Sequence, residues 1–177
     1  MFEHPSYIVL HVPPPAAEMV RNLRRRYDPV RAELAVEISI TGSCGLGGII
    51  AGQEPDAVFA EIDRVAAATA PFEAEFARIR RFHNTGIYYF AVADPENFIA
   101  LHRRLSCTAI RFQPNHWPYE PHCTLKLRGN MTEEEEAELL SLELPPNRFN
   151  VNTLSVYELE TSLQPVLRYR RLLGSQS

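Results

Sequence analysis

The sequence lacks a cysteine framework. It has only three cysteines, Cys44, Cys107 and Cys123, and they are widely spaced with no C-x-x-C pair. A scattered, odd set argues against both a disulfide scaffold and a thiolate zinc site. The histidines also lack metal-ligand spacing. We therefore expect no metal, no cofactor and a reducing, cytoplasmic setting.

Positive charge and long apolar runs are also scarce. The 177 residues carry a formal net charge of -4, so no global positive field exists to hold long duplex nucleic acid. The first five residues lack the basic and apolar regions of a signal peptide, and the weakly polar stretch 34–52 contains Glu37 and several glycines. We expect no membrane segment, no long duplex partner, and a single domain over residues 1–177 that is a monomer.

What is present is hydrophobic periodicity that alternates between strand and helix, which is typical of α+β or α/β layers. Strands are predicted at 7–12, 34–41, 72–80, 87–93, 122–127, 150–159 and 166–172. Helices are predicted at 16–27, 56–70 and 95–105, and a fourth starts at Thr132. Thr132 precedes a run of glutamates and has Glu135 at the capping-box position, so the acidic run indicates a helix start.

Two segments of the chain share one order of elements. Residues 7–42 and 87–129 each read as strand, proline, helix with arginines near its end, linker, strand and glycine. This order suggests an internal duplication. The duplicated final strands would then be related by approximate two-fold symmetry and would face one central cleft.

The two duplicated strands carry chemically useful side chains at alternate positions. Residues two apart on a strand share a face, so Glu37 projects with Ser39, and His122 with Thr124, while Cys123 turns into apolar packing. Two ionisable groups and two hydroxyls in one cleft suit phosphodiester chemistry without a metal. One group removes a proton from the attacking water or hydroxyl, the other protonates the leaving oxygen, and the hydroxyls bind the non-bridging oxygens.

The segment Pro121-His122-Cys123-Thr124-Leu125 matches the H-x-T motif of the 2H phosphoesterases, which include bacterial 2'-5' RNA ligases and cyclic nucleotide phosphodiesterases. The chain resembles that family over nearly its whole length. The resemblance implies a two-lobed α+β fold in which antiparallel sheets flanked by helices enclose a central cleft. It also implies metal-independent hydrolase activity on a 2',3'-cyclic phosphate, or on a 2'-5' linked nucleotide or RNA end.

The first motif departs from the family pattern, because Glu37-Ile38-Ser39 stands where H-x-T is usual. The predicted catalytic residues are then His122 as acid, Glu37 as base, and Thr124 and Ser39 as phosphate holders. With a reference pKa of about 4.3, Glu37 would be ionised at neutral pH. Its charge about 5 Å from a phosphate would cost roughly 3 kcal/mol at an effective dielectric of about 20. A protonated His122 or an arginine would have to offset that cost.

Two strand segments carry arginine pairs that could supply this cation. Arg78 and Arg80 share one face of a predicted strand, and Arg168 and Arg170 share one face of another. A solvated surface is the commoner explanation for such pairs. One pair lining the cleft would neutralise phosphate.

Other interpretations remain open. His83-Asn84-Thr85 also fits H-x-T, although Asn84-Thr85-Gly86 favours a turn between strands. Tyr119 and Trp117 are predicted substrate-binding residues that stack on a base, or they cover a sheet edge. The alternative function is a non-catalytic module that binds a nucleotide or RNA end in a decayed site, and a third is a structural domain with a vestigial cleft.

Overall fold

The computed structural model describes residues 2–159 and 165–175. Five helices lie within these residues: α1 (Ala16–Tyr27), α2 (Pro29–Ala32), α3 (Pro55–Ala67), α4 (Glu96–Ser106) and α5 (Glu133–Ser141). The strands of the same residues are β1 (Ser6–His11), β2 (Glu37–Ser39), β3 (Phe72–Ala74), β4 (Phe76–Arg81), β5 (Tyr88–Val92), β6 (His122–Lys126), β7 (Phe149–Val151), β8 (Thr153–Leu159) and β9 (Pro165–Leu172).

The strands form antiparallel sheets. The larger sheet has the order β2-β1-β8-β9, the second has the order β4-β5-β6, and β3 pairs with β7. Helices flank these sheets, which confirms the predicted α+β class. The two units β1-α1-β2 and β5-α4-β6 each place their last strand beside their first and at the edge of a sheet. The predicted order of the duplicated segments therefore recurs in the architecture.

The helices follow from apolar stripes that the sheets bury. Helix α1 has the predicted bounds, and α4 buries Phe98, Leu101 and Leu105. The capping box at Thr132 and Glu135 is confirmed at the start of α5. Buried apolar residues of both larger sheets and of the helices belong to one continuous cluster. None of the helices in the described residues has the length and apolar character needed to cross a bilayer.

Two predicted strands are each divided in the structure. The segment predicted at 72–80 breaks at Glu75, so that β3 pairs with β7 while β4 pairs with β5. Asn147 holds the break by accepting from Phe76 N–H and donating to the Phe76 carbonyl. The segment predicted at 150–159 breaks at Asn152 between β7 and β8. Alternation of side chains continues through a change of sheet, so the sequence pattern does not reveal it.

Strand β2 is shorter than the predicted 34–41. Leu34 N–H donates to the Arg31 carbonyl and closes a turn after α2, and Thr41 Oγ1 accepts from Ile8 N–H. The ladder therefore spans only the Glu37-Ile38-Ser39 motif. This leaves the motif on a short edge strand that turns and loops hold at both ends.

Arg24 connects the first unit to the second. Its side chain is fully buried, and it donates from Nε and Nη2 to the Thr124 carbonyl at 3.2 and 2.7 Å. Nη1 donates to the Ala35 carbonyl at 3.1 Å. The guanidinium thus fixes β6 against α1 and the segment before β2.

Candidate active site between the two motif strands

The four predicted catalytic residues lie on the two edge strands that face each other between the larger sheets. The side chains of Ile38 on β2 and Cys123 on β6 are both buried in the core. Glu37 and Ser39, and His122 and Thr124, therefore project from the opposite faces, as the alternation predicts. We call these four residues the inter-sheet site.

His122 is held by a backbone hydrogen bond. Its Nδ1 lies 2.6 Å from the Glu120 carbonyl oxygen, and since a carbonyl only accepts, Nδ1 carries the proton. Nε2 then has a lone pair. His122 is largely buried, but Nε2 keeps some surface that solvent can reach and is bonded to no other described residue. Burial lowers the pKa of His122 below its usual value, so the neutral ring dominates at neutral pH.

Glu37 has the opposite shift. Loss of surrounding water raises the pKa of the Glu37 carboxyl to about 7, although Arg31, Arg24 and a hydrogen bond from Tyr7 oppose the increase. The sequence prediction that Glu37 is ionised at neutral pH used the reference pKa and is therefore wrong. Near neutral pH Glu37 is present in both protonated and ionised forms.

The structure adds Arg31 to the inter-sheet site. Arg31 lies in the short helix α2, its N–H donates to the Asp28 carboxylate at 3.2 Å, and its Nε donates to the Thr124 carbonyl at 3.2 Å. Its charge acts on the pKa of both Glu37 and His122. No motif marks this arginine in the sequence, because its place depends on how α2 packs against β6.

The predicted arginine pairs lie farther from the motif strands. Arg78 and Arg80 occupy β4, the outer strand of the β4-β5-β6 sheet, on the face that they share with His122. Arg168 and Arg170 occupy β9, at the other edge of the larger sheet. Arg168 Nε lies 3.1 Å from a carboxylate oxygen of Glu158. The arginines whose charges act on Glu37 are instead Arg31 and Arg24.

His11 is a second residue that the sequence prediction missed. It is directly opposite Glu37 in the β1-β2 ladder and on the same face. Its Nε2 lies 3.0 Å from Ser155 Oγ and 3.3 Å from the Tyr157 hydroxyl. Burial lowers the pKa of His11, and the nearby Arg170 adds to this effect. The alternation rule applied to β1 would have found His11 beside the motif.

The alternative H-x-T match lies in a turn. Residues 83–86 connect β4 to β5, Phe82 N–H donates to the Ile87 carbonyl across them, and Asn84 has a φ of 56°. His83 is exposed. The predicted turn is confirmed.

The two predicted substrate-binding aromatics have different surroundings. The ring of Tyr119 stacks on His102 with centroids 4.1 Å apart, and its hydroxyl donates to the Ser39 carbonyl at 3.2 Å. Tyr119 thus covers β2 and the adjoining glycine-rich loop. Trp117 is 73% exposed, and its carbonyl accepts from Gly45 N–H at 2.8 Å.

The other candidate sites have fewer side chains that could take part in a reaction. A cavity of about 450 Å³ lies between α3 and α4, and its polar wall consists of Arg64, Arg103 and Arg104. Arg64 pairs with Glu61, and Arg104 donates to the Ala68 carbonyl at the end of α3. Within residues 2–159 and 165–175, no group of three or more His, Cys, Asp or Glu side chains is placed to hold a metal ion.

Comparisons with known proteins agree with this fold. The model of the 2'-5' RNA ligase superfamily matches residues 12–162. The structure of TT0787 of Thermus thermophilus is similar with a TM-score of 0.71 and 16% identity, covering 98% of this chain and 100% of that one. Escherichia coli LigT complexed with 3'-AMP is similar with a TM-score of 0.65 and 13% identity, covering 97% and 99%.

LigT complexed with phosphate gives a TM-score of 0.63 at 14% identity, with 98% of this chain and 99% of that chain covered. Identities this low establish a shared fold and nothing finer. No curated protein matches the sequence significantly.

Proposed function

Because the chain belongs to the 2'-5' RNA ligase superfamily, we propose that it is a metal-independent phosphodiesterase. Its substrate is a 2',3'-cyclic phosphate, or a 2'-5' linked nucleotide or RNA end. The observation that supports this proposal is the position of Glu37 and His122 on the adjacent strands β2 and β6, with opposite pKa shifts and a hydroxyl residue two positions after each.

The protonation states favour roles opposite to those predicted from the sequence. His122 is neutral at neutral pH, so its Nε2 accepts the proton of the attacking water. Water oxygen bonds to phosphorus, and the bond from phosphorus to one ribose oxygen breaks. Protonated Glu37 gives its proton to that oxygen, which leaves as a hydroxyl beside a phosphate monoester. Return of the proton from His122 to Glu37 through solvent restores the site.

Ser39 and Thr124 serve the phosphate in this scheme. Neither hydroxyl is enclosed, and neither is bonded to another of the described residues. Each is free to donate to a non-bridging oxygen as negative charge develops there. Exposed Trp117 offers a stacking surface for a base, and the related fold of LigT accommodates 3'-AMP and phosphate.

The test is turnover of the four 2',3'-cyclic nucleoside monophosphates with EDTA present. We expect wild type to produce monophosphates and His122→Ala to lose at least about 100-fold in kcat/KM, since general base catalysis contributes that much or more. His83→Ala is the matched control, because His83 lies in an exposed turn, and it should retain full turnover. Equal turnover by wild type and a folded His122→Ala protein would refute the assignment.

The replacement of the first imidazole by Glu37 favours one second candidate, a non-catalytic module that binds a nucleotide or RNA end. Such a module would bind 3'-AMP without forming product from any cyclic or 2'-5' linked substrate. Calorimetric titration with 3'-AMP beside the turnover assay separates the two functions.

A further inference from the structure

We propose that Arg31 binds the phosphate group of the substrate in the inter-sheet site, and thereby allows a site that contains Glu37 to accept an anionic phosphodiester. The inference rests on the proposed function for the identity of the substrate. Its test, however, measures phosphate binding separately from turnover.

Arg31 is anchored at one end and open at the other. Its Nε donates to the Thr124 carbonyl at 3.2 Å, and its N–H is held by Asp28 at 3.2 Å. Within the part of the chain that the structure describes, no acceptor bonds to the two terminal nitrogens, and both keep some surface that solvent can reach. Burial lowers the pKa of this guanidinium, so an anionic partner there would meet little competition from water. An anchored guanidinium with two open N–H₂ groups matches the two non-bridging oxygens of a phosphate diester.

The position of Arg31 puts this fork between the two motifs. Thr124, whose carbonyl receives Arg31 Nε, is the hydroxyl residue of the second motif. Glu37, in the first motif, lies close enough for the charge of Arg31 to lower the pKa of its carboxyl. A phosphate that accepts from Ser39 and Thr124 therefore has this cation beside it.

The other arginines near the site already have partners. Arg24 is fully buried and donates to the Thr124 and Ala35 carbonyls, so it cannot reach a ligand. Arg80 lies 3.9 Å from the Glu120 carboxylate, and Arg168 lies 3.1 Å from that of Glu158. Arg170 acts on His11 and Tyr157. Among these arginines, Arg31 is the one whose charge acts on Glu37 and whose terminal nitrogens have no acceptor among the described residues.

The experiment is calorimetric titration with inorganic phosphate and with 3'-AMP of wild type, Arg31→Gln and Arg31→Lys. We expect Arg31→Gln to weaken binding about 10-fold to 100-fold, the size of lost hydrogen bonds to a charged group. Arg31→Lys should recover part of the loss, because lysine keeps the charge without the fork. Arg25→Gln is the matched control, since Arg25 is exposed on α1 and bonds to Asn22.

A pH series tests whether the charge of Arg31 acts in the inter-sheet site in addition to supporting β6. Removal of the Arg31 charge should move the titration of Glu37 in the binding and turnover profiles to higher pH, because Arg31 lowers the pKa of that carboxyl. An unchanged pH dependence in folded Arg31→Gln would contradict this action of the charge on Glu37. The other charged and titratable groups around Glu37 are all kept in these variants. They are Tyr7 and His11 of β1, Arg24 of α1, Cys123 of β6 and Tyr157 of β8.

The outcomes separate this inference from the proposed function. If wild type binds phosphate through Arg31 but turns over no substrate, phosphodiesterase activity is refuted and phosphate binding by Arg31 is supported. Wild-type affinity in Arg31→Gln, or no phosphate binding by wild type, overturns the inference whatever the turnover. Should Arg31→Gln fail to fold, Arg31→Lys decides, because wild-type affinity for phosphate in that variant would show that the guanidinium fork is not used and would overturn the inference.

Discussion

Glu37 and His122 are surrounded by protein in ways that move their pKa values in opposite directions. Burial favours the neutral form of each, which raises the pKa of the carboxyl to about 7 and lowers that of the imidazole. The neutral pair is therefore abundant between these two pKa values. That pair is the form in which His122 can accept a proton while Glu37 donates one.

Substitution of Glu37 by glutamine reveals which role His122 has. With the carboxyl gone, the residual kcat/KM of Glu37→Gln should lie about 100-fold or more below wild type, and it should rise with pH as His122 loses its proton. The measurement is turnover of a 2',3'-cyclic nucleotide between about pH 5 and pH 9. A residual activity that falls with pH would instead make His122 the acid, as the sequence prediction had it.

At this scale the sequence predicts positions better than it predicts chemistry. The faces of Glu37, Ser39, His122 and Thr124 follow from strand alternation alone. The pKa of Glu37 does not, because it depends on how much protein surrounds the carboxyl. Arg31 was missed for a similar reason, since helix α2 brings it to β6 through tertiary contacts.

Among the elements, the glycine-rich loop after β2 connects the first motif to the approach of the second. Gly45 N–H donates to the Trp117 carbonyl, and Leu46 N–H donates to His102 Nε2 at 2.9 Å. Tyr119 stacks on that histidine and bonds to Ser39. The loop thus holds both predicted aromatics and the backbone of β2 in one arrangement.

Gly45→Ala should disturb that arrangement. Gly45 has a φ of +66°, and a methyl group there would lie 2.7 Å from Tyr119 Cβ and would also overlap His102. We expect a loss of about 2–4 kcal/mol in unfolding free energy and at least about 10-fold in turnover, from overpacking added to backbone strain. Denaturant unfolding and the turnover assay measure the two effects.

Gly52→Ala is the matched control for that substitution. Gly52 also has a positive φ, +81°, but a methyl group there would meet nothing within 4 Å. It should lose only about 1 kcal/mol from strain and keep its turnover. Equal effects at both glycines would contradict a role for the loop in positioning the site.

Element boundaries show where sequence patterns stop being informative. Helix α1 has its predicted bounds because an apolar stripe and a helix-ending Asp28-Pro29 both specify it. The division between β3 and β4 at Glu75 escaped prediction, because the alternation of buried side chains continues from Ala74 to Phe76 while these two residues pair with different strands. Strand pairing is a property of the tertiary structure, and a period of two does not encode it.

For the whole molecule, the raised pKa of Glu37 links stability to pH. A carboxyl whose pKa is higher in the folded than in the unfolded chain stabilises the fold fully below the unfolded value, and this contribution is lost as pH rises through the folded value. For Glu37 the loss extends from about 4.5 to about 7 and amounts to about 3 kcal/mol. Wild type should therefore lose stability relative to Glu37→Gln across this range.

Denaturant unfolding at a series of pH values measures that difference. Lowered pKa values at His122 and His11 act on stability in the opposite direction, and the comparison with Glu37→Gln removes most of their contribution. Glu33→Gln is the control, since Glu33 is exposed just before β2, and its stability should run parallel to that of wild type. If the unfolding free energy of Glu37→Gln also ran parallel to that of wild type across this pH range, the raised pKa of Glu37 would be contradicted.

The pairing of the first strand with a distant one has a consequence for the order of folding. The β4-β5-β6 sheet joins strands that are near one another in the chain, whereas Tyr7 in β1 pairs with Tyr157 in β8. Closing so long a loop is slow compared with forming local hairpins. During synthesis the half of the site that contains His122 can therefore form early, while one edge of β1 stays unpaired until β8 emerges. Glu37 reaches its final surroundings last, so the site is completed only at the end of folding.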